Sequence, residues 1–295
     1  DYFRKNAKEL KTAKDLPKRM ERSIDKVFSS DKYKRFYDDP VSEYEMNQLR
    51  AECFRVLEEL TENARHSFFT PSFFEVRFDR EETLSVTANG KKFYFKGYVD
   101  RADVDGKKIC VVDYKSGNYE PQIDKIYCGE KIQLYVYLKH FTEKGYRPAG
   151  VFYLPIRDGY YSKKSSYAMC GQIEDSLETF FRLDDRASDG VKTGRYDSPA
   201  VAFAVKDSKG LLAFADQGGN RLSEKEFEEI IKYVFKLSEQ ALSDIQNGDT
   251  EKNPIGDACK RCAYGQMCGV VNGRKKPTGV NKTTFYAEEG QNGVE

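Results

Sequence analysis

Two groups of residues in this 295-residue chain have the types and spacing to do chemistry. The first is a set of Asp-x-Lys tripeptides, at Asp105/Lys107, Asp113/Lys115 and Asp207/Lys209. The pattern is cheap, so context must separate them. Only Asp113 ends an apolar run, Ile109-Cys-Val-Val, where the ordinary expectation is a sheet-end carboxylate facing water. A hairpin changes that expectation, because Asp105-Gly106 is a strong tight-turn signal. Read as a two-residue loop, it pairs Val104 with Lys107 and sets Asp100 opposite Val111. Asp113 then lies diagonal to Asp100, on the same face, with Cα atoms roughly 7–8 Å apart. The strand period of two adds Lys115 to that face.

Carboxylates this close repel unless a cation lies between them, and two oxygen ligands call for a hard metal, Mg²⁺ (or Mn²⁺). A lysine beside it supplies positive charge for a phosphate or a developing oxyanion. Together they describe metal-assisted phosphodiester hydrolysis, in which the metal acidifies bound water and offsets transition-state charge. Glu75 could add a third acidic ligand, although the same strand alternation is satisfied if it points to solvent.

The second group is Cys259-Lys-Arg-Cys262-Ala-Tyr-Gly-Gln-Met-Cys268, with spacing C-x2-C-x5-C. Three thiolates suit a metal or cluster better than a disulfide framework, but do not complete a tetrahedral zinc or four-iron site. The other cysteines, Cys53, Cys110, Cys128 and Cys170, lie in helix or strand contexts and read as buried thiols.

These residues need elements to hold them. Residues 1 to about 70 are predicted helical, with Phe54, Leu57 and Leu60 spaced by three. Strands follow over 73–78, 92–99 and 108–113, then one helix over 123–141 and a strand over 150–155. The stretch at about 160–220 reads as an insertion, with a Ser/Lys run at 162–166 and a short helix near 173–182. Ser223 and Glu226 form a capping-box signature for a helix to about Gln246. The Gly/Asn/Lys/Thr-rich tail after Cys268 is expected to be poorly ordered. The division is therefore a helical flank at 1–70, a core at 71–250 and a cysteine-containing segment at 251–295.

Composition excludes several alternatives. Lys plus Arg number 49 against 48 acidic residues, so the net charge of +1 does not by itself select a partner. With 39% hydrophobic residues the chain is too apolar for disorder, and it has no membrane-length apolar run or signal-peptide core, so the expected compartment is the cytoplasm. Only two histidines are present, and Walker, HExxH and GxSxG motifs are absent.

Three ordered motifs carry a resemblance: Gly97-Tyr-Val-Asp-Arg101, Val111-Val-Asp-Tyr-Lys-Ser-Gly117 and Tyr127-Cys-Gly-Glu-Lys-Ile-Gln-Leu-Tyr-Val-Tyr-Leu138. Together they resemble the RecB-like PD-(D/E)xK nucleases, in particular the C-terminal nuclease domain of AddB-type ATP-dependent helicase-nuclease subunits. The resemblance implies an α/β fold with a three-layer, restriction-endonuclease-like core, a mixed central sheet and flanking helices. It implies that Asp100 and Asp113 bind metal, that Lys115 is catalytic, and that Gln133 and Tyr137 face the site from a helix; the Tyr114 carbonyl is a further candidate ligand. It implies DNA as substrate, an AddA-type partner subunit, a role in double-strand-break repair and recombination, and a [4Fe-4S] cluster on Cys259, Cys262, Cys268 and a distant upstream cysteine.

Neither the Cys-Pro-Phe-like segment of that fourth ligand nor the family's helix histidine has a match. His66 precedes a strand and His140 ends a helix. The expectation is a C-terminal piece of a longer chain, with an incomplete cluster and with the segment after about 256 the least ordered part, since nothing ties it back to the N-terminus. Lys96, Arg101, Lys115, Lys125 and Lys131 surround the site in sequence and are the expected DNA-binding patch. Two other readings remain: a catalytically silent DNA-binding or scaffolding domain, and a Cas4-like exonuclease. Intact Asp100, Asp113 and Lys115 oppose the first; the long insertion and the Tyr-x-Gly-x-x-x-Gln-Leu run oppose the second.

Overall fold

The longest helix begins where the sequence can satisfy its first amides: Asp39 accepts the Ser42 N–H at 2.9 Å, and Pro40 occupies the first turn, where no donor is needed. In the computed structural model, which describes residues 2–78, 84–116, 122–156, 167–215, 218–255, 258–269, 275 and 277–289, it is the last of four N-terminal helices. They are α1 (Tyr2–Asn6), α2 (Leu16–Phe28), α3 (Asp31–Lys34) and α4 (Pro40–Arg65). Next come β1 (Thr70–Phe78), β2 (Ser85–Ala88), β3 (Lys91–Tyr94), β4 (Gly97–Asp105) and β5 (Lys108–Lys115). The helices α5 (Ile123–Tyr127) and α6 (Gln133–Thr142) lead to β6 (Arg147–Pro155) and β7 (Cys170–Glu174). The chain continues through α7 (Leu177–Leu183), α8 (Ala187–Gly190), β8 (Arg195–Asp197), β9 (Ala204–Ser208) and β10 (Leu211–Phe214). It closes with β11 (Arg221–Leu222), α9 (Glu224–Gln246) and α10 (Gly265–Cys268).

The central sheet has the order β1-β4-β5-β6-β7-β11 and is mixed, with β5–β6 and β7–β11 parallel and the other pairs antiparallel. Strand alternation divides its side chains between two cores. Val99, Ala102, Val111, Val151 and Tyr153 pack with Leu134 and Leu138 of α6 and with Phe227, Ile230 and Val234 of α9. On the other face Val112 and Leu154 meet α1, α2 and α4, while Cys110 and Phe152 meet α7 and the small β8-β9-β10 sheet. This is the expected three-layer α/β architecture. No described helix is long and apolar enough to cross a membrane.

Several expectations change in detail. The run at 92–99 is two strands: β3 pairs with β2 in a separate hairpin, and the chain re-enters the main sheet at Gly97. The helix expected over 123–141 is broken at Gly129, which takes φ 76° after α5, so Gln133 becomes the first residue of α6. The stretch read as an insertion contributes β7 to the central sheet, and the helix near 173–182 is shortened to α7 by that strand. Its Ser/Lys run at 162–166 lies outside the described residues. The capping box is present, with the Ser223 N–H donating to Glu226 at 2.6 Å and the Glu226 N–H donating to Ser223 Oγ at 3.2 Å.

The described part of the tail at 277–289 is tied down, against expectation. Tyr127 and Tyr233 stack on each other at 5.1 Å centroid distance, and Phe285, 3% exposed, packs edge-on against both rings at 6.0 and 5.1 Å and joins the core with α9. Lys282 reinforces it by donating to the Arg221 carbonyl at 3.0 Å.

Candidate active site

The β4–β5 hairpin builds the site, and its register differs from the expected one. Asp105 pairs with Lys108, so Gly106 and Lys107 are the central turn residues, and Val104 faces Ile109 rather than Lys107. The pairing moves by two, which preserves every side chain's face. The ladder ends at the Arg101–Val112 pair, one residue short of both aspartates, and the Asp100 side chain takes over by capping the Tyr114 amide of β5. The two carboxylates remain neighbours at the end of this hairpin, close enough for the charge of Asp100 to act on Asp113.

Each carboxylate is held differently. Asp100 Oδ2 accepts the backbone N–H of Tyr114 at 2.9 Å, which fixes it against the end of β5. Asp113 is 3% exposed, and the Lys115 ammonium ion-pairs with its Oδ2, although no well-aligned hydrogen bond reaches that buried oxygen among the described residues. Burial pushes the Asp113 carboxyl above the usual range; Lys115 opposes the shift and Asp100 adds to it. The donor set fits a hard divalent cation: two neighbouring carboxylates that act on each other, one of them buried with its charge met by the Lys115 ammonium.

Helix α6 completes the constellation. Lys115 Nζ donates to Gln133 Oε1 at 3.3 Å, and Gln133 Nε2 donates to the Tyr137 hydroxyl at 2.5 Å. Gln133 and Tyr137 are one helical turn apart, as their spacing implied. Gly97 makes room for the Phe78 ring, which packs edge-on against Tyr137, since a Cβ there would stand 2.8 Å from Phe78. Burial raises the Tyr137 hydroxyl pKa, with Gln133 opposing and the two aspartates adding to the rise.

Other candidates lie elsewhere. Glu75 falls in the row of Asp100, but it takes a left-handed φ of 50° and its carboxylate, 76% exposed, ion-pairs with Arg4 at 2.9 Å. Arg101, expected in the DNA patch, is 5% exposed on the opposite face and bidentate with Asp103. Asp105 is bidentate with Arg182, whereas Asp207 accepts the Gly210 N–H at 2.7 Å in the exposed β9–β10 turn. His66 Nδ1 contacts Asp185 at 2.7 Å beside the α4 terminus, and His140 stacks on Phe78.

Cys259, Cys262 and Cys268 sit around α10, and no group of three or more His, Cys, Asp or Glu among the described residues is placed to hold a metal. The described residues do not fit a four-iron cluster.

One residue went unmarked in the sequence. Tyr153 of β6 lies beside Asp113, and its ring has Lys115 Nζ at 5.6 Å and Lys131 Nζ at 5.4 Å from its centroid.

A family model described as the PD-(D/E)XK nuclease superfamily matches residues 2–269. An ATP-dependent helicase/deoxyribonuclease subunit of the B type, from Alkaliphilus metalliredigens, is 26% identical over 260 residues, covering 78% of this chain and 22% of the relative. The proteins of the same name from Carboxydothermus hydrogenoformans and Clostridium novyi are 26% and 25% identical over 79% and 86% of this chain, covering 23% of each relative. The chain thus spans less than a quarter of the length of these relatives.

Proposed function

The chain belongs to the PD-(D/E)XK nuclease superfamily, and on that premise we propose that it hydrolyses DNA phosphodiester bonds with Mg²⁺ or Mn²⁺, as the nuclease domain of a helicase-nuclease. The observation that carries the reading is the convergence of Asp100, held on the amide that follows Asp113, with the buried Asp113 and with Lys115, whose ammonium reaches the Asp113 carboxylate. Asp100 and Asp113 would hold the cation, and the Tyr114 carbonyl is a further ligand in this reading. The cation, when bound, supplies Lewis acidity and acidified water. Lys115 Nζ orients the attacking water and stabilises charge on the phosphate as the P–O bond breaks. Gln133 fixes Lys115 through the 3.3 Å hydrogen bond, and Tyr137 fixes Gln133. The relatives' name, an ATP-dependent helicase/deoxyribonuclease subunit, supports an ATP-driven machine acting on DNA; to this we add, as part of the proposal, an AddA-type partner subunit, repair and recombination as its setting and the cytoplasm as its compartment.

The test is Mn²⁺ binding followed by calorimetry alongside cleavage of a labelled DNA strand. The reading requires saturable binding and metal-dependent cleavage by the unaltered chain, and loss of both in Asp113→Ala. Unaltered cleavage by that variant would end it. A silent DNA-binding domain would instead bind DNA without cleaving it.

A further inference from the structure

Two cations share one aromatic ring beside the carboxylate pair. Lys115 comes from the end of β5, and Lys131 from the turn that precedes α6. Their ammonium groups lie 5.6 and 5.4 Å from the centroid of Tyr153, so they are separated by no more than those two distances together. Tyr153 is 4% exposed and fixed in register, with Asp113 on one side and Cys170 on the other. A buried ring in a central strand is a rigid platform, and its negative π face attracts each ammonium.

Gathering two like charges costs energy unless anionic charge offsets it. Asp113 offsets Lys115 in the structure as it stands. A divalent cation would compete with Lys115 for that carboxylate and add two positive charges beside the two ammonium groups. Successive phosphates of one DNA strand match that charge. Resting on the nuclease reading above, we propose that Lys131 binds the phosphate next to the one attacked, and that Tyr153 is a positioning residue holding Lys131 and Lys115 side by side. Lys131 thereby sets the register of the strand across the site.

The experiment measures binding of a fluorescent oligothymidylate by the full chain across a monovalent salt series at a fixed Ca²⁺ concentration, Ca²⁺ standing in for the cation at the carboxylates, then kcat and KM in Mn²⁺. Lys131→Gln is expected to flatten the log–log salt slope by ~0.7, one single-strand phosphate contact, and to raise KM more than it lowers kcat. Tyr153→Phe keeps the ring and should match the unaltered chain, while Tyr153→Leu should flatten the slope as Lys131→Gln does. If Tyr153→Leu fails to fold, Lys131→Gln alone decides. An unchanged slope in Lys131→Gln overturns the assignment, as does Tyr153→Phe behaving like Tyr153→Leu. A chain that cleaves with an unchanged slope in Lys131→Gln overturns this assignment alone. A chain that binds through Lys131 without cleaving overturns the nuclease reading and leaves Lys131 as a phosphate contact with no attacked neighbour, and one that binds no strand overturns both.

Discussion

Asp100 is anchored by the residue that follows its partner: its Oδ2 takes the Tyr114 backbone N–H at 2.9 Å, so the position of one carboxylate is coupled to the strand that carries the other. This makes Asp113 the sensitive member, because its burial is not matched by aligned hydrogen bonds to both oxygens. Asp113→Ala should abolish metal-dependent cleavage while leaving the circular dichroism spectrum in place. Loss of several kcal/mol of transition-state stabilisation corresponds to a rate loss on the order of a thousandfold. Steady-state cleavage rates in Mn²⁺ check it.

The raised Asp113 carboxyl has a signed consequence for stability without metal. Between the ordinary carboxylate value and the higher folded value, the folded state binds more protons than the unfolded chain, so stability falls as pH rises through that window. Asp113→Asn should therefore raise the Tm of the metal-free protein at neutral pH. The gain should vanish below the ordinary Asp range, where both states of the native residue are protonated. Thermal melts in EDTA across pH would read it, and a variant less stable than the parent at neutral pH would contradict it.

Asp105 is not a neutral control for Asp113. Its bidentate pairing with Arg182, whose guanidinium also lies 4.6 Å from the Phe68 ring centroid, ties the β4–β5 turn to α7. Asp105→Ala should cost about 1–3 kcal/mol, the range for charged hydrogen bonds lost at a half-buried site. Asp207→Ala, in an exposed turn, should fall within about 0.5 kcal/mol of the parent. Urea titrations of the two variants separate these outcomes.

Phe285 should matter as a core residue does. Phe285→Ala removes the ring packed edge-on against the stacked Tyr127 and Tyr233 and should cost about 3–5 kcal/mol. Limited proteolysis should then cut near Lys282 first. A variant with the parent's urea midpoint would mean that the tail docks without contributing to stability.

Replacing Cys259, Cys262 and Cys268 together by Ser should leave the urea midpoint unchanged, because the described residues do not bring these thiols into a ligand set. The purified chain should lack the broad visible absorbance of a cubane. A large loss of stability on replacement would show that the thiols hold a metal that contributes to folding.

The face of each site residue was legible because strand alternation depends only on parity, and a two-residue error in the hairpin register leaves parity intact. Asp100, Asp113 and Lys115 therefore converge despite the misplaced turn. Gln133 and Tyr137 were legible from a helical spacing that holds within one turn. Tyr153 was hidden because β6 pairs parallel to β5, and a parallel crossover gives no tight turn from which to count register. Arg101 was misread since sequence proximity to Asp100 says nothing about the alternate face, where Asp103 two residues on captures it. The tail's composition suggested disorder, and one buried aromatic outweighed it.

The location of β5 bears on how the site endures before its cation arrives. Ile109, Cys110, Val111 and Val112 have no exposed surface, with helices over both faces and strands along both edges. Amides in such a strand exchange with solvent chiefly through global opening. Asp113 is the next residue, so mutual repulsion with Asp100 cannot be relieved by a local shift of the chain; only unfolding of the central sheet would relieve it, and the cooperative stability of that sheet opposes this. The protein thus keeps its carboxylate geometry as a standing property of the fold, and in the proposed reading a cation would meet carboxylates already in place instead of ordering them.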